Sequence, residues 1–212
     1  MRVFVACERS GVVRRAFAAK GHDAWSCDIE AADDGHPNHF QGDAIKAMVD
    51  FSPDLLIAHP PCTVLAVSGA WASVGDSERA IKRRAQVEEA LAFFKAFLDY
   101  GFQFDIPTCV ENPVGITSTR ICPPDQWVQP WQFGHDASKK TGLWLYKLPK
   151  LIPTNIVQGR AVVAKNGKTV YRYANQTDSG QNRLGPSPTR AAERSKTYEG
   201  IAAAMADQWG NQ

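Results

Sequence analysis

The chain has 212 residues and a mass of 23.3 kDa, with 44% hydrophobic and 22% charged residues, the composition of one globular domain able to bury a core. No run approaches the ~18 consecutive apolar residues of a membrane span, and the opening MRVFVACERSG lacks a signal peptide's layout, so membrane, secreted and collagen-like classes are excluded and a cytoplasmic setting is expected. The net charge of +2 divides unevenly: residues 1–138 carry 12 Lys/Arg against 18 Asp/Glu (−6), and residues 139–196 carry 12 against 2 (+10).

The first sixty residues read as alternating strands and helices. Residues 2–7 are a short apolar run suited to a buried strand. Val12, Val13, Ala16, Phe17 and Ala19 then recur at helical spacing until Gly21 stops the helix. Residues 24–28 form a second strand closing on Asp28, and residues 55–58 a third closing on His59-Pro60-Pro61-Cys62. Strand–helix–strand order with such short connections predicts an α/β fold, a doubly wound, mostly parallel sheet covered by helices. A long helix is expected over 77–100, with Ala80, Ile81, Val87, Leu91, Phe94 and Leu98 on one stripe. Residues 107–111 read as a buried strand ending at Glu111-Asn112-Pro113, and 142–146 as another. Residues 161–173 carry a hairpin signal around Asn166-Gly167, which fits a type I′ turn. Residues 176–189 are polar and loop-like, and 198–209 an Ala-rich helix. The expected organisation is a catalytic and cofactor-binding core over 1–138, a basic strand, hairpin and loop segment over 139–196, and a helix over 197–212 packing back on the core.

Ligands of doubly wound sheets bind outside the carboxyl ends of the strands, so Glu8-Arg-Ser-Gly11, Asp28, the Pro-Pro-Cys turn and Glu111-Asn112 are expected on one rim. Pro60 and Pro61 make a stiff arm that presents Cys62, either as a nucleophile or as the small buried hydrophobe most lone cysteines become. The other cysteines (Cys7, Cys27, Cys109, Cys122) are assigned that second role; five widely spaced cysteines without a C-x-x-C pair argue against a disulfide framework or a metal cluster. Glu111, at the mouth of an apolar strand, is expected to lose water and so to have a raised pKa. Asn112, held extended before Pro113, is free to brace a neighbouring loop, although the tripeptide alone also reads as a cap or turn. Asp28 suits ribose hydroxyls; Asp43 suits an adenine amino group or, equally, a helix N-cap.

Together these residues resemble the cytosine carbon-5 DNA methyltransferases, especially a short form met in phages and prophages. The match runs through residues 5–11, 21–28, Gly42-Asp43, 58–63 to Ser68-Gly69 and 111–113, and then through Phe133-Gly134, Lys140-Thr141, 143–145 and 198–202. The resemblance implies an enzyme using S-adenosylmethionine. Cys62 attacks carbon 6 of a flipped cytosine, Glu111 holds or protonates ring nitrogen 3, and Asn112 braces the Pro-Pro-Cys arm. Cys7, Ser10, Gly11 and Pro60 line the cofactor, Ser10 and Gly11 at its methionine end. Asp28 takes the ribose, Ile29 the adenine face and Asp43 the adenine amino group. Ser68, Lys139, Lys140, Lys165, Lys168, Arg172 and Arg183 are assigned to nucleic acid, with double-stranded DNA as partner, no metal, no membrane and a monomer as the default state.

Two departures stand out. The family's glycine-rich first loop (Phe-x-Gly-x-Gly) is here Ala6-Cys-Glu-Arg-Ser-Gly11, and its Gln-x-Arg-x-Arg segment has no evident counterpart, with Lys139-Lys140-Thr141 or Gln181-Asn-Arg183 in its stead. The basic block leaves room for little recognition structure beyond the hairpin, so the chain is expected to hold duplex DNA well and to read few bases. Competing readings are an amino-methyltransferase using the Pro-Pro turn, an inactive nucleic-acid-binding relative, and RNA in place of DNA. A zinc deaminase is excluded by the absence of its His-x-Glu and Pro-Cys-x-x-Cys signature.

Overall fold

The computed structural model describes residues 1–66, 74–185 and 195–211. Its centre is a seven-stranded sheet. The strands are β1 (Arg2–Ala6), β2 (Asp23–Asp28), β3 (His39–Gln41), β4 (Leu55–Ala58), β5 (Thr108–Pro113), β6 (Gln126–Val128) and β7 (Thr141–Tyr146). They lie in the order β3-β2-β1-β4-β5-β7-β6; the first five run parallel, and β7 is antiparallel to both β5 and β6. This is an α/β, Rossmann-like fold, a mostly parallel sheet covered by helices. The order reverses between β1 and β4, which is where a doubly wound sheet opens a crevice for ligands.

Buried on both faces, the central strands are continuous apolar runs whose alternate residues serve different helices. Val3, Val5, Leu55, Ile57 and Cys109 face one way, into a cluster with Val13 and Phe17 of α1 (Val12–Ala18) and Ile201, Met205 and Trp209 of α5 (Glu199–Trp209). Phe4, Ala6, Leu56, Ala58 and Val110 face the other way, against Met48 and Phe51 of α2 (Ala44–Phe51) and Phe94, Phe97 and Tyr100 of α3 (Glu78–Phe104). Each buried Val, Leu, Ile, Phe or Met among these stabilises the fold by about 1.5–3 kcal/mol.

Several elements differ from expectation. The long helix starts where expected, Ser77 Oγ accepting from the Ala80 amide at 3.2 Å, but runs to Phe104 before Asp105 turns it off in a left-handed conformation (φ 61°). Strands β3 and β6, at three residues each, are too short to leave a periodic signature. Strand β7, expected with the basic segment, sits inside the sheet between β5 and β6, so the core extends past residue 138 to Tyr146. The hairpin pairs β8 (Arg160–Val163) with β9 (Thr169–Arg172). Its turn is not type I′. The Gly167 amide bonds the Ala164 carbonyl at 2.8 Å, the Ala164 amide bonds the Lys168 carbonyl at 2.9 Å, and within the turn only Gly167 has a positive φ (76°). That is a three-residue loop closed by a glycine bulge, which needs one left-handed residue where type I′ needs two. A short helix α4 (Thr117–Arg120) follows β5.

Candidate active site

Strands β4 and β5 are parallel neighbours with Ala58 opposite Val110, so the residues that follow, His59 and Pro60, reach the rim beside Glu111 and Asn112. Asn112 is fully buried, and its Nδ2 donates to the Pro60 carbonyl at 3.1 Å. That bond ties the second strand's end to the proline arm two residues before Cys62. Beyond Cys62 the chain folds back at once: the Cys62 carbonyl accepts from the Leu65 and Ala66 amides at 3.0 and 2.9 Å. Ala66 then bridges Gly115, and the Ile116 amide donates to the Leu65 carbonyl at 2.9 Å. A side chain on Gly115 would overlap the Leu65 carbonyl, so this close approach of two backbones requires glycine. The arm is thus pinned on both sides of Cys62, whose own side chain is half-buried.

The sharpest polar contact involves a residue the sequence analysis passed over. His59 Nδ1 lies 2.8 Å from Glu111 Oε2, and both side chains are only 10% exposed. Thr197 Oγ1 donates to the same oxygen at 3.5 Å. Glu111 also faces Lys139 across a cavity of about 10 Å³, lined further by Thr141, Thr197 and Tyr198 and large enough for one water. Burial pushes the Glu111 carboxyl up, but the His59 hydrogen bond and charge, then Lys139 and Thr197, outweigh it and hold the group below its ordinary value. The expected rise is therefore corrected: burial was foreseen and its compensation was not. His59 stood in the sequence motif beside Cys62, where it read as a turn residue; Thr197, in the basic block, carried no signal.

The neighbouring rim is formed by β1 and β2. Cys7 lies just past β1 rather than within it, half-buried and in a left-handed conformation (φ 57°), with its thiol pushed up by burial and by Asp28, Cys27 and Asp43. Glu8 turns inward and caps α1, accepting from the Val13 and Arg14 amides at 2.6 and 3.2 Å. Burial raises its carboxyl, opposed by His59 and these amides. Ser10 accepts from the Val12 amide and, through its carbonyl, from Arg15. Gly11 (φ 66°) begins the helix, and the space where its side chain would sit is filled by Arg14 and Asp34. Asp28 is half-buried, its Oδ1 accepting from the Glu30 amide at 3.0 Å, and burial raises its carboxyl. Beside it Ile29 is 79% exposed. An exposed apolar side chain next to a strand-end acid could lie against a base while the acid accepts from ribose hydroxyls. Asp43 takes its N-cap role, Oδ1 accepting from the Ile45 and Lys46 amides at 2.8 and 3.1 Å.

The cations assigned to nucleic acid do not act as one set. Lys139 faces Glu111 and donates to the Lys196 carbonyl at 3.1 Å, whereas Lys140 lies over the Trp127 ring, 4.6 Å from its centre. Lys165 and Lys168 are exposed at the hairpin turn. Arg172 and Arg183 donate to the Asp178 and Gln176 carbonyls at 3.1 and 2.9 Å, which braces the loop after β9. Ser68 lies outside the described residues. Among the described residues, none of Cys7, Cys27, Cys109 and Cys122 forms a disulfide; Cys27 and Cys109 are buried, while Cys122 is exposed and so is not the small core hydrophobe expected of it. No helix among the described residues is long and apolar enough to cross a membrane.

No family model matches the chain, and no curated protein matches it. Among solved structures, a chain described as a candidate DNA modification methyltransferase encoded within an E. coli prophage superposes with a TM-score of 0.46 at 16% sequence identity, over 74% of this chain and 52% of that one. The present chain thus spans about half the length of that structure.

Proposed function

We propose that the chain is an S-adenosylmethionine-dependent DNA methyltransferase that acts on carbon 5 of cytosine, with Cys62 as the nucleophile. One arrangement carries this reading: adjacent strands bring a half-buried thiol on a pinned proline arm and a buried carboxyl onto the same rim, joined by the 3.1 Å bond from Asn112 to the Pro60 carbonyl. A thiol and an acid so placed suit addition to a pyrimidine. The Cys62 sulfur bonds to carbon 6 while Glu111 holds a proton at ring nitrogen 3, and carbon 5 becomes nucleophilic. When bound, S-adenosylmethionine supplies an electrophilic methyl group. Carbon 5 then gives its proton to water, the electron pair left behind re-forms the 5,6 double bond, and the bond from carbon 6 to sulfur breaks, releasing Cys62 as the thiolate. Asp28, Ile29 and Asp43 would hold the nucleoside half of the cofactor, at the ribose, the adenine face and the adenine amino group, Ser10 and Gly11 would line its methionine end, and Cys7 and Pro60 would complete the site. The target base is out of reach inside a duplex, so it must be flipped. Lys165 and Lys168 on the hairpin turn, with Lys140, would hold the phosphates.

The test is radiolabel transfer from S-adenosylmethionine to cytosine-containing duplex DNA by the wild type and by Cys62→Ala. Labelling by the wild type and only background for the variant is expected; equal labelling removes Cys62 from the reaction. Trapping on 5-fluorocytosine DNA separates the covalent route from an amino-methyltransferase, which leaves no bound protein. A second reading, a nucleic-acid-binding relative without activity, draws on the first loop, where Glu8 occupies the amides that open α1. It requires that calorimetry detect no S-adenosylmethionine binding.

A further inference from the structure

Glu111 is held from one side only. Oε2 accepts from both His59 Nδ1 and Thr197 Oγ1, whereas Oε1 accepts no bond from the described residues. The other face of the imidazole is also unusual: among the described residues, His59 Nε2 is buried and has no hydrogen-bond partner. Buried polar atoms without partners are rare, and each calls for an explanation other than stability. Pro60 sets the backbone of the preceding residue by itself, so the turn does not require histidine. The ring does something there.

We propose that His59 is the positioning residue of Glu111: it holds Oε2, fixes the plane of the carboxyl so that Oε1 is presented to the base, and sets the acidity with which that oxygen gives up its proton. This deepens the cytosine reading of the site and rests on it. With the acid's proton on Oε1, Oε2 is the acceptor in both protonation states of Glu111, so the proton between the two groups belongs to Nδ1. As the bond from sulfur to carbon 6 forms, the electron pair of the ring's 5,6 double bond moves toward nitrogen 3. There the Oε1–H bond breaks and an N–H bond forms. The charge left on Glu111 meets the Nδ1–H already in place at Oε2. When Cys62 is expelled, the proton returns to Oε1. The other groups facing this pair are Glu8 from the loop after β1, Lys139 from the segment before β7, Cys109 on β5 and Thr197 before α5. Burial alone would push the Glu111 carboxyl up, and among the contributions that bring it down, His59 comes first.

The experiment follows the Glu111 carboxyl by carbon-13 NMR in the full chain, its signal identified by its loss in Glu111→Gln, for wild type, His59→Leu and His59→Asn. Each is checked for folding by circular dichroism. His59→Leu is expected to move the titration upward; His59→Asn, whose amide can replace Nδ1–H, is expected to leave it low. In parallel, methyl transfer to cytosine DNA is measured against pH. His59→Leu should lower kcat roughly 10- to 100-fold, less than the ~10²–10⁴ a general acid supplies in full, with KM for DNA unchanged and the alkaline limb moved to higher pH. His59→Asn should recover most of the rate. An unmoved carboxyl titration in folded His59→Leu overturns the proposal. So does an equal loss of rate in both variants with the wild-type pH profile, which marks a packing role. A wild-type chain that transfers no methyl group refutes the proposed function instead, and the carboxyl titration then decides whether His59 governs Glu111.

Discussion

Asn112 makes one side-chain hydrogen bond, to Pro60, while its buried Oδ1 has no partner among the described residues. A wholly buried amide held by a single bond is a poor device for stability and a good one for placing the loop it touches. Asn112→Ala is expected to leave the Pro60 carbonyl unpaired and to cost about 1–3 kcal/mol in stability, seen as a lower Tm. Under the proposed function its effect on kcat should exceed that on folding, because the arm carrying Cys62 loses its tether; a Tm drop with unchanged kcat would argue against the brace. Glu111 shows where reading by sequence stops. Its position on an apolar strand announced burial, and burial by itself raises a carboxyl. The opposing hydrogen bond comes from His59, 52 residues earlier, and becomes visible only once β4 and β5 are known to be neighbours. The extended conformation imposed by Pro113 told only that the Asn112 amide is free to reach a neighbouring loop; that the loop is the proline arm came from the family resemblance, and the bond to the Pro60 carbonyl appears only in the structure.

At the scale of elements, the loop after β1 and the segment after β2 are knitted together by charge. Arg9 pairs with Glu30 and Asp33, and Arg14 and Arg15 both pair with Asp34, at 2.5 and 2.8 Å. Burial would raise the Asp34 carboxyl, but Arg15, the His36 amide and Arg14 hold it down at about 2. An acid whose folded pKa is depressed contributes stability above its unfolded value, and that contribution fades as pH falls through the folded value. Between pH ~4 and about 2, therefore, Asp34→Asn is expected to flatten the acid limb of a stability curve measured by urea unfolding, and to lower the plateau above it. An unchanged limb would mean that this pairing does not hold in solution. These ion pairs join residues 19 to 24 apart in the chain, and no periodicity marks them. The long apolar runs behind β1, β4 and β5 were readable because both of their faces are buried. Strands β3 and β6 were not, since three residues carry no period, and β7 was misplaced because its sequence neighbours are basic while its sheet neighbours are β5 and β6.

Across the whole molecule the charge is divided between an acidic core, −6 over residues 1–138, and a basic block, +10 over residues 139–196. Much of that positive charge is already engaged: Arg160 pairs with Asp178, Lys147 with Asp105 and Lys196 with Asp33, and Arg172 and Arg183 brace their own loop. Lys165 and Lys168, exposed on the turn of a two-stranded ribbon, remain well placed for phosphates. Phosphate contacts supply affinity without sequence information, and each one removed lowers the dependence of log K on log salt by about 1. Lys165→Ala and Lys168→Ala should each weaken duplex binding by a similar factor on every sequence, with that loss of salt slope, in fluorescence titrations. Reading bases demands more, because several side chains must reach base edges in a groove, each good pair discriminating by about 1–3 kcal/mol. Of the side chains on the ribbon's paired rungs, Ala161, Val162, Val163 and Val170 cannot hydrogen-bond and Arg160 and Arg172 are engaged with Asp178, which leaves Thr169 and Tyr171 beyond the turn. Under the proposed function, methylation should therefore follow a context of very few bases. Bisulfite sequencing of plasmid from cells expressing the chain should find modified cytosines scattered among many flanking sequences and absent in the Cys62→Ala control. Modification confined to one long motif would refute a short or relaxed sequence context.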